Sequence, residues 1–119
     1  MNSSDDTLVN KKCVPCHGGV SALSQAEAQK LLGRLLSSDK GGWQLVEDGK
    51  AIRREFKFPD FYRAMSFVNA VAHVANVEDH HPDIECGWGY ARIRYQTHAV
   101  GGLHENDFIC AAKIDALQN

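Results

Sequence analysis

The feature that most constrains this chain is a long apolar stripe of helical period that starts at Asp60 and is cut off by His80-His81-Pro82. Phe61, Ala64, Met65, Val68, Val71, Ala72 and Ala75 fall on one side of it, which predicts an amphipathic helix that buries one face. Pro82 then forces the backbone out of helical geometry. Neighbouring residues on a helix point about 100° apart and cannot jointly face one small ligand, whereas at a helix-to-strand corner both rings can converge. His80 and His81 are therefore candidate site residues, set against the plain reading of a polar loop.

The period changes on both sides of this helix. Before it, Trp43 to Glu47 reads as a short strand, Asp48-Gly49 as a hairpin turn, and Ile52, Phe56 and Phe58 alternate with Arg53, Glu55 and Lys57. After it, Ile84 to Trp88 and Ala91 to Thr97 predict a second hairpin around Gly87 and Gly89. Ser24-Gln25-Ala26-Glu27 is a capping-box pattern ahead of Leu31, Leu32, Leu35 and Leu36, so a first helix is expected over about 25–37. A last helix starts near Glu105 with Asp107 in its first turn. The expected fold is α+β: a four-stranded antiparallel sheet with helices packed on one face, in the order α-β-β-α-β-β-α. A one-sided sheet leaves an edge strand or the other face for a subunit partner.

With 119 residues the chain is long enough for one core. Residues 1–20 are polar and lack periodicity, so they read as a mobile or loosely docked arm, and residues 21–119 as a single domain. A net charge of −2 argues against nucleic acid as a direct partner. No apolar run reaches the roughly 20 residues of a membrane span, and the first residues lack a basic start and an apolar stretch, so a cytosolic protein is expected. Cys13-Val14-Pro15-Cys16-His17 matches the C-x-x-C-H haem-attachment pattern, but no export signal precedes it. No second C-x-x-C or H-x-x-x-H pair completes a zinc set, and Cys13 and Cys16 are expected to be dispensable.

His98 follows the second hairpin as His80 and His81 precede it, so antiparallel pairing gathers three of the six histidines at one end of the sheet. Such a cluster suits either a three-histidine metal site or a metal-free acid/base pocket for a small polar molecule. Adjacent histidines are awkward co-ligands and no carboxylate has evident ligand spacing, so the residues fit proton transfer or binding better than a metal.

The chain resembles the pterin-4a-carbinolamine dehydratases, known in animals also as dimerisation cofactors of a homeodomain transcription factor. The resemblance covers about Gly42 to Leu117. It is carried by His80-His81-Pro82, Trp88 six positions beyond the proline, His98 ten further on and Asp107 nine after that, with Gly42-Trp43, Phe56 to Phe61 and Gly101-Gly102-Leu103. Asn76 stands where the family usually has an acidic residue, with Glu78 and Asp79 nearby as substitutes. The resemblance implies dehydration of 4a-hydroxytetrahydrobiopterin (pterin-4a-carbinolamine) to quinonoid dihydropterin, the recycling step after aromatic amino-acid hydroxylation. It implies no resident cofactor or metal, the pterin being the substrate, and a homodimer or homotetramer. His80, His81 and His98 are the implied catalytic residues. Asp79, Gln96, Thr97 and Ala99 line the pocket with them, supported by Pro82, Trp88 and Asp107, the last as a helix cap or an orienter of His98. The alternative is a non-enzymatic binding module, a transcription-factor dimer stabiliser or an assembly factor, that retains the pocket.

Overall fold

The two strand pairs expected on either side of the long helix are joined to each other through their second strands. The computed structural model describes residues 7–15, 20–35 and 42–118. In chain order they form α1 (Gln25–Leu35), β1 (Gln44–Val46), β2 (Ala51–Lys57), α2 (Phe61–Glu78), β3 (Asp83–Gly87), β4 (Tyr90–Tyr95) and α3 (Glu105–Ala116), with 3₁₀ turns at Leu8–Asn10 and His98–Val100. The sheet is antiparallel throughout, in the order β1-β2-β4-β3, with Ile52 opposite Tyr95 and Ile84 opposite Ile93. The α+β fold is as expected.

The inner face of the sheet buries Ile52, Phe56, Ile93 and Tyr95 against Leu32 of α1, Phe67 and Val71 of α2, and Phe108, Ile109 and Ile114 of α3. The outer face carries charges in register: Arg92 meets Glu55 and Glu85, and Arg94 meets Glu47 and Asp83. Opposite charges across neighbouring strands suit a solvated face.

Two patterns differ from expectation. The buried stripe of α2 is Ala64, Phe67, Val71 and Ala75, rotated from the expected one; Phe67 packs its ring on Phe56 at 4.6 Å and on Phe58 at 5.1 Å, while Phe61 is 51% exposed. On β2, Arg54 is buried although charged. Its Nη1 donates to Asp115 Oδ1 at 2.8 Å, which also accepts from Trp43 Nε1 at 2.9 Å, and its guanidinium lies 4.4 Å from the centre of the Phe56 ring. Burial raises the Asp115 carboxyl pKa, while Trp43 and Arg54 pull it down.

The helix ends follow local chemistry. Ser24 and Glu27 make the expected capping box, Glu27 N to Ser24 Oγ at 3.1 Å and Ser24 N to Glu27 Oε1 at 2.8 Å. Asp60 caps α2 by accepting from Arg63 N. The expected end of α1 at residue 37 and the cysteine-motif residues Cys16 and His17 lie outside the described residues. The described part of the arm, residues 7–15, is docked rather than loose. Leu8 is buried in the core, Lys113 Nζ donates to Val9 O at 2.8 Å, and Lys11 pairs with Glu105 at 2.7 Å. One apolar anchor and α3 partners far along the chain hold it, which a local pattern does not show. Among the described residues no helix is long and apolar enough to cross a membrane.

Candidate active site

The site begins where α2 stops. Asp79 takes a left-handed conformation (φ 53°), and His80 N reaches back to Ala75 O at 3.0 Å. This six-to-one closure satisfies a terminal carbonyl and reverses the chain, and aspartate is one of the few non-glycine residues that tolerates it. The reversal turns the His80 ring inward onto Tyr95 of β4, nearly parallel, with ring centres 5.2 Å apart. Tyr95 Oη donates to His80 O at 3.1 Å, fixing the corner from below.

Asp107 completes the arrangement from α3. It is fully buried; Oδ1 lies 2.6 Å from His80 Nε2, and Oδ2 accepts from Thr97 Oγ1 at 2.9 Å and from His104 N at 3.0 Å. Three donors satisfy the carboxylate, which is what burial of a charge requires. His104 serves as the helix cap, its Nδ1 accepting from Asn106 N at 3.0 Å. Burial works against a charged His80, but the Asp107 hydrogen bond and charge outweigh it and hold its pKa above the ordinary histidine range.

After β4 the chain forms a tight loop closed by Thr97 N to Gly102 O at 2.8 Å, with Gly101 at φ 69° making the return. This loop presents His98 and Ala99 at the same end of the sheet. A cavity of about 690 Å³ lies there, lined by Asp79, His80, His81, Gln96, Thr97, His98 and Ala99, with Glu78 and Asn106 beside them. The volume suits a bicyclic ligand, and polar groups converge on it from three elements.

All three expected catalytic histidines and the four other expected lining residues thus face one cavity. His80 is mostly buried, whereas His81 and His98 are exposed. The three supporting residues lie around the cavity in different ways. Asp107 caps α3 as expected, but the histidine it holds is His80 rather than His98. Trp88 is 69% exposed at the tip of the β3–β4 hairpin, roughly 16 Å along the strand from the corner, and is not part of the cavity wall. Pro82 also lies outside the wall, between the closed end of α2 and the start of β3.

The sequence also missed part of the wall. Cys13, Val14 and Pro15 of the arm close one side. Cys13 N donates to Glu78 Oε1 at 2.8 Å; Val14 N donates to Asn106 Oδ1 at 3.1 Å, and Asn106 Nδ2 returns a bond to Val14 O at 2.6 Å. The nearest signal was Glu78, an acid at the end of an apolar stripe. Asn76 is exposed on α2 and is not in the wall, whereas Glu78 and Asp79 are. Among the described residues no three His, Cys, Asp or Glu side chains are grouped as metal ligands.

The sequence model of the family described as pterin 4 alpha carbinolamine dehydratase matches residues 21–117, which hold the corner, the loop and Asp107 together. The chain belongs to the pterin-4a-carbinolamine dehydratase family. A Nitrosospira multiformis protein provisionally named pterin-4-alpha-carbinolamine dehydratase is 50% identical over 117 residues, 98% of this chain and 97% of that one. A Nitrosomonas europaea protein of the same provisional name is 52% identical over 110 residues, 92% of each chain. A crystal structure of a transcriptional coactivator/pterin dehydratase from Brucella melitensis superposes with TM-score 0.74 at 31% identity, covering 83% of this chain and all of that one. A pterin dehydratase-like RuBisCO assembly factor shares the fold at 24% identity and TM-score 0.56, over 63% of this chain and 87% of that one. The Brucella melitensis structure thus shares the fold on which the histidine cavity of this chain is built.

Proposed function

We propose that the chain is a 4a-hydroxytetrahydropterin dehydratase acting in the cytosol to recycle tetrahydropterin after aromatic amino-acid hydroxylation. The observation that carries this reading is the convergence of His80, His81 and His98 on one cavity, with the buried Asp107 behind His80. The reaction asks little of the protein. The 4a-hydroxyl leaves as water after taking a proton, and a ring nitrogen gives one up. His80, whose pKa the Asp107 contact at Nε2 raises, has Nδ1 left to donate to the departing hydroxyl. His81 accepts the ring proton, and His98 on its loop orients the pterin. Asp79, Gln96, Thr97 and Ala99 complete the binding surface. No residue in this scheme requires a bound cofactor.

The test is the rate of 4a-hydroxypterin loss with purified wild type, His80→Ala, His81→Ala and the double variant, with circular dichroism as the folding check. Loss of one acid/base group typically costs about 10²–10⁴-fold, and the double variant is expected to approach the spontaneous rate. A folded double variant as fast as wild type would refute the assignment. A wild type no faster than the spontaneous reaction would favour the binding-module reading.

A further inference from the structure

Cys13 Sγ lies 3.5 Å from Cys110 Sγ, although the residues are 97 positions apart. Cys13 is half-buried in the cavity wall, and Cys110 sits beneath it in α3, fully buried. We propose that Cys13 and Cys110 form a reversible dithiol–disulfide site that fastens the docked arm, residues 7–15, across the mouth of the cavity. The formation of this bond is independent of what the cavity binds.

Three observations carry the proposal. The sulfurs are in contact, and closing to a bond of about 2.05 Å asks for a shift of roughly 1.5 Å. The cysteine reachable from the cavity is on the docked arm, and the one it meets is on helix α3. The flanking arm is already held in register by Cys13 N on Glu78 and by Val14 on Asn106, so the bond would lock an existing pose. The surroundings also divide the roles of the two thiols. The hydrogen bond from Cys13 lowers the Cys110 pKa against the opposing effect of burial, while Cys13 is pushed up by the same contact and by desolvation. Cys110 therefore gives up its proton first.

With a hydroperoxide as oxidant the step balances. As the Cys13 sulfur attacks one peroxide oxygen, the Cys110 thiolate in contact with it takes up the Cys13 proton; the O–O bond breaks, the leaving hydroxide is protonated, and Cys13 sulfenic acid and one water form when the oxidant is hydrogen peroxide. Cys110 gives that proton up again, and its thiolate attacks the Cys13 sulfur. The displaced hydroxide takes up the proton that Cys110 released and leaves as a second water. Two thiols lose two electrons and two protons, and the peroxide is reduced to two waters. A dithiol reductant reverses the bond by exchange.

The test is oxidation of the full chain with stoichiometric hydrogen peroxide, alkylation of remaining thiols, and non-reducing peptide mapping by mass spectrometry. The expected result is a Cys13–Cys110 linked peptide pair, about 2 Da lost per chain, and recovery with dithiothreitol. A Cys16→Ser/Cys86→Ser variant should form the same link at the same rate. Hydrogen exchange at the amides of residues 7–15 should slow in the oxidised protein. A Cys13–Cys16 or intermolecular Cys86 link in its place, or four free thiols after peroxide, would overturn the site. A Cys13–Cys110 link with unchanged exchange in the arm would overturn the clamp.

Discussion

His80 Nε2 and Asp107 Oδ1 lie 2.6 Å apart, joining the end of α2 to the first turn of α3. The same carboxylate holds Thr97 and the cap of α3, so one buried charge ties together the three segments that build the cavity. Asp107 is a positioning residue, acting through the His80 ring.

Asp107→Asn should therefore lower the His80 pKa and slow pterin dehydration. An amide keeps the size and one acceptor but loses the charge that favours imidazolium. The expected loss in rate is about 10–100-fold, with the rate maximum displaced to lower pH. NMR titration of the histidine ring protons reads the pKa directly. An unmoved His80 titration would remove the basis of the assignment.

The same pair makes stability depend on pH. The folded-state pKa of His80 is raised above the unfolded value of about 6.5. Its contribution is complete below about 6.5 and is lost as pH rises through the folded pKa. The stability difference between wild type and Asp107→Asn should shrink as pH climbs through that window. Urea denaturation midpoints at pH 6 and at pH 9 test this; a gap that widens with pH contradicts it.

The element order, the turns and the α1 capping box were legible in the sequence because each rests on residues within a few positions of one another. What failed locally was a matter of rotation. The expected stripe of α2 takes in Phe61 and leaves out Phe67, and it is the packing on the sheet that sets Phe67 against Phe56. The histidine cavity was legible because a proline corner and a hairpin fix which end of the sheet each ring reaches. The Asp107–His80 pairing, the Arg54–Asp115 pair and the docking of Cys13 were not, because their partners lie 27, 61 and 97 residues away along the chain.

That rotation is measurable. Phe67→Ala should cost about 3–5 kcal/mol by emptying the space between Phe56 and Phe58, while Phe61→Ala should stay within about 0.5 kcal/mol. Chemical denaturation of both variants decides the matter, and equal costs would contradict the packing.

Arg54 offers a test remote from the cavity. Asp115→Ala leaves its guanidinium buried without a partner and Trp43 Nε1 without an acceptor, which should cost about 3 kcal/mol. The folded fraction should keep its dehydration rate, because this network lies outside the cavity wall. A rate that falls in proportion to the stability lost, after correction for unfolded protein, would count against that separation.

The last prediction concerns the arm as part of the cavity. Asn106 grips the Val14 backbone with both ends of its amide, and it is itself buried beside Asp107. Asn106→Ala removes both bonds while keeping helix propensity, so α3 should persist and the arm should loosen. Because Cys13 to Pro15 form wall rather than proton-transfer groups, the variant should raise KM for the hydroxypterin several-fold with a smaller change in kcat, the mark of binding contacts that are equal in ground and transition states. Hydrogen exchange should speed at the amides of Cys13 and Val14, while the Asp107-held corner at His80 stays protected. A fall in kcat with KM unchanged would place the arm's effect on the histidines instead, and unchanged exchange would show that Lys113 and Glu78 hold the arm without Asn106.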